Sequence, residues 1–129
     1  MNIIKILKQK SDLLHGIGVD QKTISEAERE LGLTFADEYK EYLKEMAIVA
    51  YSGHELTGLT KSERTNVVQV TRKKKRISPS VPMDWYVIED ANIDDIVIWQ
   101  DGQGKIYKTM YDSEAVCIAS SLADFINDL

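Results

Sequence analysis

The sequence predicts an α+β fold, with N-terminal helices packed on a largely antiparallel sheet and one helix closing the chain. Three observations lead there. Apolar residues at helical spacing dominate residues 3–46, and short β-prone runs crowd residues 84–119. The connections between those runs are too short for parallel crossovers. A chain of 129 residues is one domain's worth.

Residues 2–14 predict a first helix, with Ile3, Ile6, Leu7, Leu13 and Leu14 available to pack. His15 to Asp20 reads as a loop, because Gly16 and Gly18 punctuate any periodic pattern. Thr23 to Met46 then predicts two short helices joined by a bend. Thr23 with Glu26 has the form of a capping box, and Ile24, Ala27 and Leu31 share one helical face. Gly32 stops that helix, since glycine takes a left-handed conformation without a Cβ penalty. Thr34 with Asp37 repeats the capping signal. Phe35, Tyr39, Tyr42, Leu43 and Met46 follow as a wide apolar stripe. Helices this short need a partner surface.

Ala47 to Tyr51 predicts a short strand, and Glu55 to Leu59 a partner weakened by Gly58. Ser62 is placed to cap a helix over 63–75, with Val67, Val70 and Thr71 facing inward. Ile77 to Met83 holds both prolines and reads as a loop. Asp84 to Glu89, Asp95 to Gln100, Lys105 to Met110 and Ala115 to Ala119 predict strands, with a hairpin turn at Asp101 to Gly104. Ser120 to Leu129 predicts the closing helix, with Leu122, Phe125, Ile126 and Leu129 on one face.

The hydrophobic content of 43% and charged content of 29% are those of an ordinary soluble globular protein. The net charge of −5 conceals an uneven distribution. Residues 61–76 carry 7 basic and 1 acidic side chains, whereas residues 77–129 carry 2 basic and 10 acidic. Cys117 is the single cysteine, which excludes an internal disulfide and fits a reducing compartment. With no secretory signal pattern and no apolar run long enough to span a membrane, a cytoplasmic protein is expected.

The chemical motifs are few. Counting a calcium loop from Asp101 puts Lys105 at the fifth position, which a cation site does not tolerate, so a hairpin turn is favoured. His15, His54 and Cys117 show no zinc-ligand spacing, and no metal or cofactor is expected. Cys117 lies in an apolar strand and is expected to be core, not a nucleophile beside a base. Trp85, Tyr86, Trp99, Tyr107 and Tyr111 are expected chiefly to fill the sheet–helix core. The basic run Arg72 to Arg76 reads as a solvated helix C-terminus, where cations favour the helix dipole. The acidic set Glu89, Asp90, Asp94, Asp95, Asp101, Asp112 and Glu114 falls at strand ends and turns. It is either ordinary solvated loop or an electrostatic face for a basic protein partner, and both readings stay open here. No Gly-x-Ser-x-Gly elbow or Walker-type loop is present, so an enzyme is not expected.

Ile24, Glu28, Leu31-Gly32, Leu33 and Tyr39, with the segments Gly53 to Leu59, Trp99 to Gly104 and Ser120 to Ile126, resemble the SUKH superfamily, the SMI/KNR-type proteins. The family's Leu-Pro is Leu33-Thr34 here, and Met46-Ala47-Ile48 replaces its Asn-Gly after the second helix. The resemblance implies a single SMI/KNR-like domain over residues 1–129. It further implies a non-enzymatic immunity protein, an antitoxin that binds and neutralises a cognate secreted toxin, often a nuclease, in the producing cell. Nucleic acid and membrane are not expected as partners. The alternative is a regulatory scaffold or ligand-binding module that uses the aromatic residues of the sheet.

Overall fold

The computed structural model describes residues 2–91, 93–111 and 113–127. In chain order the elements are α1 (Ile3–Lys8), β1 (Leu14–His15), α2 (Gln21–Leu31), α3 (Asp37–Glu45), β2 (Val49–Tyr51), β3 (His54–Glu55) and α4 (Val67–Ile77). They continue with β4 (Tyr86–Asp90), β5 (Val97–Gln100), β6 (Ile106–Thr109), β7 (Val116–Ala119) and α5 (Leu122–Asn127). The expected α+β class holds, but the strands form two antiparallel sheets, β1-β2-β3 and β4-β5-β6-β7.

Several boundaries differ from expectation, each for a local reason. The first helix stops at Lys8, because Leu14 leaves the helical path to pair with Ala50 of β2. Leu14 is consequently exposed. Helix α2 starts two residues before Thr23. Its cap is Asp20, whose Oδ1 accepts from the Thr23 amide (2.9 Å) and hydroxyl (2.7 Å). Those bonds hold the Asp20 carboxyl below its ordinary pKa. Gly32 ends α2 as expected, at φ +70° with its amide on the Glu28 carbonyl (2.8 Å). The Thr34–Asp37 cap does not form. Ala36 precedes α3, and its amide donates to the Tyr86 hydroxyl at 2.9 Å. Helix α4 begins at Val67, later than Ser62 predicts, because Asn66 caps the Val68 amide (2.9 Å) and also donates to the Thr60 carbonyl (2.8 Å).

The helix faces read from the sequence pack where they were expected to pack. Ile3, Ile6 and Leu7 of α1, Ile24 and Ala27 of α2, and Tyr39, Tyr42 and Leu43 of α3 are buried. They meet Tyr86, Ile88, Ile98 and Ile106 of the larger sheet and Leu122, Phe125 and Ile126 of α5 in one core. At the bend, Phe35 meets Tyr39 and Tyr86 edge-on, with ring centroids 5.1 and 4.8 Å apart.

A buried threonine ties this core together. Thr57, just beyond β3, takes the Tyr42 hydroxyl on its carbonyl (2.6 Å) and the Tyr39 hydroxyl on its Oγ1 (2.9 Å). The Thr57 hydroxyl donates in turn to the Val87 carbonyl (2.7 Å), and its amide to the Ile88 carbonyl (2.7 Å). The opposite face of the larger sheet carries a second apolar cluster of Val70, Trp85, Val87, Val97 and Trp99. Trp99 is fully buried and donates from Nε1 to Thr109 (2.9 Å), while Trp85 stacks on Tyr107 at 4.1 Å. The tryptophans are therefore core, but of this second cluster.

Gly58, which weakens the strand signal in the sequence, is required by a close approach. A Cβ there would lie 1.7 Å from the Ala47 carbonyl oxygen. Gly58→Ala is expected to cost at least about 2 kcal/mol, because two backbones must separate. Thr57→Val, which strands the Tyr39 hydroxyl, is expected to cost about 1–3 kcal/mol. Urea unfolding of the two variants beside wild type measures both, and a loss under about 0.5 kcal/mol in either would contradict its assignment.

Candidate docking face

In an antiparallel four-stranded order, the β4–β5 and β6–β7 connections leave the same end of the sheet and the β5–β6 turn leaves the other. This sorts the acidic set. Asp90, Asp94, Asp95 and Glu114 lie at one end, and Asp101 lies at the opposite end. Asp112 lies outside the described residues.

Two of the seven acids are spent inside the fold. Glu89 is buried, and its Oε2 and Oε1 bond to His54 Nδ1 at 2.9 and 3.2 Å. His54 also stacks on Tyr51 at 5.6 Å. Asp101 is buried and builds the β5–β6 turn that the sequence predicts. Its Oδ1 accepts from the Gln103 and Lys105 amides (2.9 and 3.0 Å), and its Oδ2 takes the Tyr107 hydroxyl (3.0 Å). Neither carboxylate is presented to a partner. Asp90 is ion-paired with Lys74 at 3.1 Å. Asp94 and Asp95 are exposed at φ +51° and +55°, and Glu114 is exposed in the β6–β7 connection. Among the described residues these three have no hydrogen-bond or ion-pair partner.

The basic run ends at the acidic end of the sheet and is partly used by the fold. Arg72 donates to the Glu30 carbonyl (3.1 Å), Lys74 pairs with Asp90, and Lys75 donates to the Met83 carbonyl (2.8 Å). Burial lowers the Lys75 pKa, with Asp84 opposing that shift. Lys73 and Arg76 instead line a 390 Å³ cleft with Arg64, Glu55, Glu63 and Asp90, so that charges of both signs face it.

Cys117 is exposed, against the expectation of a core thiol. The reason is position: β7 is the outermost strand, and both faces of its Val116–Ile118 stretch are open. Its thiol lies 3.7 Å from the Ala119 carbonyl, while His15 bonds the Gly16 carbonyl and His54 bonds Glu89. Among the described residues no group of three or more His, Cys, Asp or Glu side chains is arranged to hold a metal ion. No helix among them is long and apolar enough to cross a membrane.

Sequence reasoning missed Glu38. Its carboxylate reaches across the chain to the start of α5, accepting from the Leu122 amide (2.5 Å), the Ala123 amide (3.3 Å) and Gln100 Nε2 (2.9 Å). Locally it reads only as an acid in the first turn of α3. No spacing in the sequence announces a partner 84 residues away.

Helices over two antiparallel sheets, with exposed carboxylates at one end of the larger sheet, define an α+β protein. The chain belongs to the SUKH family, since the family model SUKH_5, described as SMI1-KNR4 cell-wall, matches residues 1–129. A crystal structure of a protein from Pseudomonas syringae pv. tomato has the same fold, with a TM-score of 0.73 at 17% identity over 98% of this chain and 95% of that one. No curated protein matches the sequence.

Tyr107 supplies a pH test of the turn. Burial and its hydrogen bond to Asp101 push the phenol from an ordinary 10.0 up to about 12. A raised folded-state value means the contribution is complete below pH 10 and is lost as pH rises from 10 to about 12. Urea midpoints across that interval are expected to fall less steeply for Tyr107→Phe than for wild type. Equal slopes would show that the Tyr107 phenol is not held neutral by the fold.

Proposed function

We propose that the protein is an immunity protein, a cytoplasmic antitoxin that binds and neutralises a cognate secreted toxin in the producing cell. A nuclease is the toxin class that fits best. Membership of the SUKH family supports the reading. The observation that carries the electrostatic part is the grouping of Asp94, Asp95 and Glu114 at one end of the larger sheet with no partner among the described residues. Unpaired surface carboxylates of this kind speed encounter with a basic protein and select for its charge. A nuclease presents such charge in the groove that holds nucleic acid. Inhibition would be steric, by occupancy of that groove, and would need no chemistry from this chain.

A ligand-binding module is the second reading, favoured by one observation: Trp85 lines an open groove on the sheet. A small ligand that binds there while no toxin is inhibited would select it.

The test is inhibition of any secreted toxin domain found encoded beside this chain, measured with increasing salt. Neutralisation at stoichiometric concentration is expected. Asp94→Asn, Asp95→Asn and Glu114→Gln together should slow association about tenfold at low salt and much less at high salt. Salt-insensitive association, unchanged in the triple variant, would remove the acidic end from the mechanism. Failure to inhibit any neighbouring toxin would remove the immunity role.

A further inference from the structure

A groove of 740 Å³ lies on the outer face of the larger sheet, between the end of α4 and the β6–β7 connection. Its buried members include Trp85, Val97 and Thr109, and its exposed rim carries Ile77 and Tyr111, 64% and 74% accessible. Apolar groups of this size left in water beside a buried tryptophan mark an interaction site more often than chance.

Among the described residues three charged side chains line the groove: Lys74, Asp95 and Glu114. Lys74 is taken by Asp90, so the charge left at the mouth is that of two carboxylates without a partner among the described residues. The chemistry that matches is an apolar side chain on the floor flanked by cations at the rim.

The edge next to the groove indicates what carries that side chain. Ala115 lines the groove, and the chain continues directly into β7, the outermost strand. Among the described residues no strand pairs with the far side of β7, and Val116 and Ile118 are exposed. The opposite edge strand, β4, is sealed. The Thr57 amide and hydroxyl occupy the Ile88 and Val87 carbonyls, and Thr71 Oγ1 receives the Val87 amide at 3.0 Å. A bare edge offers main-chain donors and acceptors that an extended polypeptide can satisfy and a small molecule cannot. A second copy of this chain matches poorly, because it would bring the same acidic third, residues 77–129, to an acidic mouth.

We propose that this groove and the free edge of β7 take an extended segment of the partner protein, in which an aromatic or aliphatic residue is flanked by Lys or Arg. The proposal rests on the docking role proposed above and names where the partner sits and what it presents.

Two probes test it, Ac-Lys-Val-Phe-Val-Lys-NH2 and Ac-Glu-Val-Phe-Val-Glu-NH2, titrated into the ¹⁵N-labelled full chain. The basic peptide is expected to shift the Trp85 indole and the amides of Val97, Ala115 and Val116 to Ala119. The acidic peptide should bind at least about tenfold more weakly. Asp95→Asn with Glu114→Gln should weaken the basic peptide about tenfold, and Ser80→Trp, which fills the groove from an exposed position, should abolish binding. Dispersed amide spectra establish that each variant is folded. No shift at millimolar peptide, equal binding of the two peptides, shifts confined to another face, or a dimer that buries the groove would each overturn the proposal. Ser80→Trp separates it from the immunity role. If that variant still neutralises the toxin, the groove is wrong and the immunity role stands. If the peptide binds as described and wild type inhibits no toxin, the groove stands and the immunity role falls.

Discussion

The hydroxyl of Thr57 is the point through which the helical half and the sheet half are joined. It sits where Tyr39 and Tyr42 of α3 meet the edge of β4, and every polar atom brought there is paired: two phenols, a carbonyl, an amide and a hydroxyl. Burial raises the pKa of both phenols, so they stay neutral and able to donate. Buried polar networks stabilise only when all their members are satisfied. This one is, and it fixes the distance between the helix pair and the sheet. Gly58 then lets the chain pass Ala47 at a separation no side chain would permit.

The sheet's strand order decides which charges reach solvent. Acids that look equivalent in the sequence are divided by it. Asp101 turns a hairpin, Glu89 holds His54, and Asp90 answers Lys74, while Asp94, Asp95 and Glu114 stay exposed with no partner among the described residues. The basic run is thinned in the same way. Arg72, Lys74 and Lys75 are tied to the body of the fold, but only Lys74 is offset by an opposite charge, that of Asp90, since Arg72 and Lys75 bond neutral carbonyls.

The two edges of the same sheet are treated differently. β4 is closed by Thr57 and Thr71, and among the described residues the exposed chain of β7 has no comparable cover. An edge strand left open, with apolar residues and no lysine or proline in it, is a liability for a soluble protein unless something uses it. The groove beside it holds Trp85 at its base, the residue type that most often dominates binding energy at protein interfaces. The open edge, the groove and the carboxylates of Asp95 and Glu114 adjoin one another.

What the sequence alone determined was whatever depends on neighbours a few residues apart. The buried faces of α2 and α3 follow from i, i+3 and i+4 spacing. The stop at Gly32 follows from a left-handed glycine, and the turn at Asp101 from side-chain bonds to amides two and four residues on. The antiparallel pairing of β4 to β7 follows from short connections. Helix starts were less legible, since Asp20 and Asn66 compete with Thr23 and Ser62 for the same role and packing chooses between them. Only the tertiary structure decided that Cys117 is exposed, that Glu89 and Asp101 are inside, and that Glu38 caps a helix 84 residues away. Those facts depend on which strand lies outermost and which elements meet, and local periodicity carries no information about either.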